Sequence, residues 1–246
     1  MSEPILHLLC AGAAQGLVKA LQARFADETG AVISGRFGAV GGLQEALLAG
    51  EPCDLMVSTD AMIVELGRRG VLDGATRTPL GRVRTGIAVR KGMPRPEVAT
   101  PAALRAALLD ADAIYFPDAQ RATAGIHFAS VLRQLDIFDT LQARFRTYAS
   151  GAIAMRELAA SDATRPIGCT QVSEILYTEG VGLVGPLPDR FELATVYSCA
   201  LAARAGGPSA EAAVGAPPAA HLAAHLCALL GGEASRALRE RGGFEL

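Results

Sequence analysis

The residues most open to chemistry in this chain lie in and around small-residue turns. The segment Gly35–Gly50, GRFGAVGGLQEALLAG, follows an apolar β-branched run at Ala31–Ser34. A strand that ends in such a turn and passes straight into a helical pattern leaves backbone N–H groups facing outward at a helix start. The helix dipole favours negative charge there, so the turn is suited to an anion. The order recurs at Leu6–Ala20 (LHLLCAGAAQGLVKA) and at Ala113–Val131 (AIYFPDAQRATAGIHFASV). Several such turns on one chain suit the grip of a small anion through backbone amides, with Gly12 and Gly41 in two of them. Glycines that only shape a strand–turn–helix unit leave the same pattern.

Side chains near these turns add donors and acids. Thr123, Ala124 and Gly125 open a helix and offer two N–H groups and a hydroxyl to a carboxylate; a capping threonine reads the same way. His127 follows them and is a candidate ligand donor or general acid/base, because its unperturbed pKa is near neutral; a histidine packed on a helix face is the plainer alternative. Ser58, Thr59 and Asp60 end a strand and serve equally as ligand partners or as the N-cap of the next helix. Arg82 and Arg84 stand two apart on a strand and so share a face, where a guanidinium fork suits a carboxylate. A salt bridge explains the same spacing. Gln15 and Gln171 each begin a helix and could donate an amide, and Ser150 with Gly151 precedes another. His221 and His225, four apart in HLAAH, have the spacing of two metal ligands, but no third ligand accompanies them and no metal is assigned. Walker A, dinucleotide GxGxxG and GxSxG patterns are all missing, so no cofactor is implied.

Alternating elements must position these groups. Strands are expected at Ile5–Cys10, Ala31–Phe37 and Leu55–Ser58, with helices at Gly16–Glu28, Leu43–Ala49 and Ala61–Arg69. Three strand–helix units in a row predict a mostly parallel sheet with helices on both faces. Val83–Arg90 is a strand. Thr100 reads as an N-cap with Pro101 at the first helical position. A second series follows, with strands at Ala113–Phe116, Ile167–Cys169, Val181–Val184 and Leu193–Ala200. Its helices are expected at Gly125–Leu135, Ile137–Arg146, Ala152–Ala160 and Gln171–Tyr177. Gly206–Pro218 reads as a surface loop, and the helices Ala219–Leu230 and Glu233–Arg241 close the chain. The expectation is an α/β protein of two lobes, 1–83 with 198–246 and 84–197, hinged near 83–85 and 194–197, with its ligand cleft between the lobes.

Bulk properties bound the partners. The chain has 246 residues, half of them hydrophobic, and a net charge of −2. Both signs are interspersed and Trp is absent, so neither nucleic acid nor a membrane surface is an expected partner. No run is long enough for stable membrane insertion. The five cysteines Cys10, Cys53, Cys169, Cys199 and Cys227 are scattered, which reads as free thiols in a reducing compartment. Cys10 and Cys169 stand out because each ends a strand beside a candidate loop. The N-terminal residues carry Glu3 and no basic head. The chain as written therefore reads as cytoplasmic, and as periplasmic should a leader have been trimmed.

The motifs together resemble the type II periplasmic substrate-binding proteins, in particular the molybdate-binding branch of ABC transporter receptors. The likeness is carried by LLCAGAAQGL, by FGAVGGLQEALLAGEPCDLMVSTDAMIVEL, by GRVRTGIAVRKG, and by FPDAQRATAGIHFASVLRQL and RPIGCTQVSEIL. It covers nearly the whole chain. In that branch two turn serines and a tyrosine contact the oxyanion; the matching positions here are Ala13, Val40 and Gln171. The resemblance thus implies the fold, a small anionic ligand and a transporter permease as a possible partner, with the three side-chain donors changed. An aconitate isomerase is similar to these proteins, which makes a small organic carboxylate a reasonable ligand. As an alternative it implies an isomerase or tautomerase of an unsaturated acid, with His127 or Asp60 moving the proton. A molybdate or tungstate receptor that relies on amides is the further alternative.

Overall fold

The computed structural model describes residues 3–203 and 219–246. The chain forms two compact units. The first comprises Met1–Phe37, Leu43–Arg82 and Val196–Leu246, and the second Gly38–Gly42 and Val83–Thr195. The expected loop at Gly206–Pro218 lies outside the described residues.

The first unit is built on β1 (Ile5–Ala11), β2 (Val32–Gly38), β3 (Leu55–Thr59) and β9 (Ala194–Leu201), in the order β2-β1-β3-β9. β1 and β3 run parallel with Leu8 opposite Leu55 and Cys10 opposite Val57. β9 returns antiparallel, setting Cys199 against Val57 and Ser198 against Ser58. Leu6, Leu8, Leu9 and Cys10 are all buried, as are Leu55, Met56 and Val57. Burial on both sheet faces is what a continuous apolar strand requires, and helices cover those faces. They include α1 (Gln15–Thr29), α3 (Asp60–Arg68), α9 (Ala219–Gly231) and α10 (Arg236–Arg241). α1 ends on Gly30, whose φ of 66° and N–H bond to the Ala26 carbonyl form a left-handed cap.

β4 (Thr78–Arg90) carries the chain into the second unit. There β5 (Ala113–Pro117), β6 (Phe145–Tyr148), β7 (Pro166–Gln171) and β8 (Val181–Pro186) complete a sheet of order β4-β7-β5-β6, with β8 also on β4. β5 is parallel to both β6 and β7, and β7 is antiparallel to β4. Its helices are α4 (Pro101–Asp110), α5 (Thr123–Gln134), α6 (Phe138–Leu141), α7 (Gly151–Ala159) and α8 (Val172–Tyr177). The Thr100 hydroxyl accepts the Ala103 N–H and Pro101 follows it, as the sequence predicts.

One element departs from expectation. Ile137–Arg146 reads as one helix, but the helix stops at Leu141, Gln142–Arg144 is a single 3-10 turn, and Phe145–Tyr148 is the edge strand β6. The reason is tertiary. The Phe145 ring meets Phe116 at 5.2 Å and 87°, and Phe138 at 5.2 Å and 64°, so the segment is drawn onto the sheet edge. Likewise Glu233–Ser235 is a 3-10 turn ahead of α10.

Gly125, in the first turn of α5, is fixed by a close approach. A Cβ there would fall on the carbonyl oxygens of Pro117 and Asp118 at the end of β5. Gly125→Ala is expected to lower stability by about 1–3 kcal/mol. Gly42→Ala, in α2 (Val40–Leu48) with open space at the Cβ, is expected to be neutral or slightly stabilising. Urea unfolding of the two variants checks the contrast; equal effects would remove the close approach as the reason for Gly125.

Candidate functional site

In the first unit the turn Gly12–Ala14 is a buried 3-10 turn between β1 and α1, and no side chain caps it. Gly12 and Ala13 therefore present the open N–H end of the turn. Gln15 opens α1 and is buried beside it. The β1–β3 pairs run to Cys10 opposite Val57, so Ser58 follows one residue beyond them, at the end of the sheet where β1 passes into this turn. The Ser58 hydroxyl is fully buried and has no hydrogen-bond partner among the described residues. A buried hydroxyl left unpaired costs about 1–3 kcal/mol, so it calls for an explanation.

Thr59 and Asp60 separate in role. Thr59 is the N-cap position of α3 but makes no side-chain cap bond. Asp60 is held by its own unit: Arg77 donates from Nε at 2.6 Å and from Nη2 at 2.8 Å, and the Ser198 hydroxyl donates at 2.5 Å. Burial pushes the Asp60 carboxyl up, but the hydrogen bonds from Ser198 and Arg77 outweigh it and leave the pKa lowered. A carboxylate with three donors is a weak base, so the geometry supports a structural role for Asp60 ahead of the acid/base role expected of it.

Arg82 is likewise engaged. Its guanidinium meets the Glu245 carboxylate at 2.6 Å from Nη2 and 3.0 Å from Nε, while the two backbones exchange N–H···O bonds of 2.7 Å. This is the salt-bridge alternative, pinning the C-terminal residues to β4. Arg84 falls in the second unit and lies 3.9 Å from Glu192.

In the second unit, α5 starts at Thr123 with Ala122 as its N-cap residue and no side-chain cap bond. The first intrahelical bond is Ile126 N–H to the Ala122 carbonyl, which leaves the N–H groups of Thr123, Ala124 and Gly125 as the open donors of the first turn. Thr123 is therefore no cap. His127 is fixed by a 2.7 Å contact from Nε2 to the Phe191 carbonyl. A carbonyl only accepts, so Nε2 carries the proton and is committed. That bond ties α5 to the turn at Asp189–Phe191, and it argues against the proton-shuttle role expected of His127.

The start of α7 is occupied from within. Ser150 is its N-cap and accepts the Ile153 N–H at 3.3 Å. The carboxyl of Glu174 accepts the Ala152 N–H at 3.2 Å and the Thr170 hydroxyl at 2.5 Å. Gly151 has no room for a Cβ because that carboxyl lies against it. The donors expected from Ser150 and Gly151 thus face an acid supplied by the protein itself. Burial pushes the Glu174 pKa up against the pull of Thr170 and the Ala152 amide. Sequence reasoning missed Glu174; its signal was an acid in the first turn of an otherwise apolar helix.

Val40 and Gly41 open α2, and the Gly41 N–H points at the Arg121 carbonyl at 3.4 Å. Gln171 ends β7 and is buried. Its amide lies 3.4 Å from the Thr195 hydroxyl; turned over, its nitrogen would donate to the Val83 and Arg84 carbonyls at 3.2 Å. Either way the amide is used on strands of its own unit. Thr85, opposite Gln171 in the β4–β7 register, and Ser173 in α8 have buried hydroxyls without partners among the described residues. Neither was singled out in the sequence, because a lone hydroxyl in an apolar strand or helix has no motif.

Cys10 and Cys169 are fully buried and burial pushes both thiols up, so neither is poised to react. His225 pairs with Glu28 at 2.7 Å, which accounts for its half of HLAAH. A surface cavity of about 340 Å³ in the second unit, walled by Met93, Arg95 and Arg165 among others, contains none of the candidate residues. Among the described residues no helix is long and apolar enough to cross a membrane.

The family described as bacterial extracellular solute-binding protein matches residues 6–245. This chain belongs to that family. Similar solved structures include the periplasmic molybdate-binding protein of Azotobacter vinelandii, with a TM-score of 0.75 at 18% identity, covering 98% of this chain and 99% of that one. The sulfate-binding protein SubI of Mycobacterium tuberculosis H37Rv gives a TM-score of 0.70 at 16% identity, covering 98% and 86%. These likenesses establish the shared fold, that of the molybdate-binding branch which the motifs resemble. An aconitate isomerase from a Pseudomonas species is 25% identical over 172 residues, 68% of this chain. The match spans 62% of that relative's own length.

Two measurements probe the buried groups. Glu174 has a folded pKa above its usual value of 4.5, so its contribution is fully present below that value and is lost as pH rises through the raised one. Relative to Glu174→Gln, the wild type should therefore lose stability as pH rises above 4.5, by at most about 1.4 kcal/mol per pH unit. Urea unfolding across that range tests it, and parallel profiles would remove Glu174 as a titrating group. Thr85→Val, which replaces the unpaired hydroxyl with a methyl group, should raise the melting temperature of the ligand-free protein or leave it unchanged. A clear fall would mean that the hydroxyl has a partner.

Proposed function

We propose that the protein binds a small organic carboxylate through backbone amides, as a solute receptor. The observation that carries this reading is the pairing, in the first unit, of an uncapped turn at Gly12–Ala13 with the unpartnered buried hydroxyl of Ser58. Open N–H groups attract an anion, and a hydroxyl beside them supplies or accepts one more hydrogen bond. The first turn of α5 offers a further set of open N–H groups at Thr123–Gly125. Gln15, buried at the start of α1, is proposed to add an amide. Membership of a family of extracellular binding proteins favours a periplasmic setting and a transporter permease as the partner.

A carboxylate is preferred to a tetrahedral oxyanion on the side chains. By the resemblance, Ala13, Val40 and Gln171 fall where the molybdate-binding branch has hydroxyl donors, and the Gln171 amide is already engaged. The second reading, an isomerase of an unsaturated acid, is favoured by the aconitate isomerase relative. It needs an acid–base group other than Asp60 or His127, both of which are committed to protein partners.

A thermal-shift screen tests the proposal, using cis- and trans-aconitate, citrate, sulfate, molybdate and tungstate. A ligand at a hundred times its dissociation constant adds about 2.7 kcal/mol, which raises the melting temperature by roughly 5–10 °C in a chain of this size. The expected result is stabilisation by a carboxylate and not by the metal oxyanions. Ser58→Ala should then weaken that acid about tenfold, about 1.4 kcal/mol, without lowering the ligand-free melting temperature. Stabilisation by molybdate or tungstate alone would overturn the carboxylate reading. Proton NMR of the stabilising acid, incubated with the protein, distinguishes binding from isomerisation.

A further inference from the structure

Two cysteines of the first unit meet. Cys199 lies on β9 and Cys227 on α9, 28 positions apart, and their Sγ atoms are 2.8 Å from each other. Both are free thiols. Cys199 is fully buried behind, while Cys227 keeps 4% of its surface exposed. The two sulfurs differ in character. The hydrogen bond from the Cys199 thiol, with one from Thr78, holds the Cys227 thiol down at about 7 against the effect of burial. The same contact and burial push Cys199 up. Two sulfurs in direct contact, the less deeply buried of them favouring the thiolate, make the arrangement of an attacking and a resolving cysteine. Burial pushes the other three cysteines, Cys10, Cys53 and Cys169, up.

We propose that Cys199 and Cys227 are a thiol pair that closes to an intramolecular disulfide by exchange with a small disulfide, fastening α9 to β9. The Cys227 thiolate attacks one sulfur of the small disulfide, forming a mixed disulfide and expelling one small thiolate. Cys199 then gives up its proton and attacks Cys227 Sγ, forming the Cys199–Cys227 bond and expelling the second small thiolate. The protein is oxidised by two electrons and the small disulfide is reduced to two thiols. The bond anchors the strand that sets Ser198 against Ser58 and whose Ser198 hydroxyl holds Asp60. By closing a loop of 28 positions it also restricts the unfolded chain. This inference is independent of the ligand reading.

The test uses the full chain, reduced, freed of reductant and incubated with excess oxidised glutathione. Thiols counted in denaturant should fall from five to three per chain, since two of the five cysteines are joined. Peptide mapping should find the link between the peptides that contain Cys199 and Cys227. The melting temperature should rise by roughly 5–15 °C and return on reduction. Cys199→Ser should instead stop at glutathione bound to Cys227, with no rise. Five thiols remaining, a link between other cysteines, or a lasting glutathione adduct on wild-type Cys227 would each overturn the proposal. The mapping reads the wild type, so the test stands even where the variant fails to fold.

Discussion

Everything in this fold that concerns a ligand depends on how the chain treats the first backbone amides of its helices. A strand that turns directly into a helix leaves up to four N–H groups without intrahelical partners, and each must find an acceptor or remain open. The chain answers in three ways. At α4 a threonine caps the helix; at α7 a serine and the Glu174 carboxyl do so; at Gly12–Ala14 and at α5 no side chain does. The last two are also the places where small residues dominate the first turn, and Gly125 lets α5 begin against the end of β5. Closeness of backbone to backbone and openness of the amides are thus two results of one choice of residue.

Glu174 shows the same electrostatics turned inward. A buried carboxyl is unfavourable unless hydrogen bonds meet it, and the start of α7 with the Thr170 hydroxyl provides them. The arrangement closes a potential anion site with a covalently attached acid. It also explains why Gly151 bears no side chain. A helix start that looks receptive in sequence is therefore receptive only when no acid of the chain has reached it first.

Legibility in the sequence followed range. The strand–helix alternation was plain because it is local: β1, β3 and β5 are short apolar runs flanked by turn residues, and the Thr100–Pro101 cap depends on neighbours alone. β6 was hidden because its conformation is decided by Phe116 and Phe138, which no pattern within Phe145–Tyr148 announces. For the site, turns could be found from glycine and small-residue order. What could not be found was which side chains were already taken. Arg82 with Glu245 spans 163 positions, Asp60 with Ser198 spans 138, and His127 with Phe191 spans 64. Each looked available because its partner is distant in the chain.

Those distant partnerships bear on chemistry as well as on legibility. Moving a proton on an organic acid needs a group that can give and take it, with a pKa near the working pH. Asp60, under three donors, is a poor acceptor, and His127 has one ring nitrogen committed to a carbonyl. Binding asks less. Open amides and unpaired hydroxyls attract an anion without changing protonation, and their dipoles are already oriented by the fold, so little reorganisation opposes the ligand. The groups this chain leaves open are of the second kind, and those it ties up are of the first. The balance of residues therefore leans towards recognition, and catalysis on this scaffold would require an acid–base group that its hydrogen bonding has not already spent.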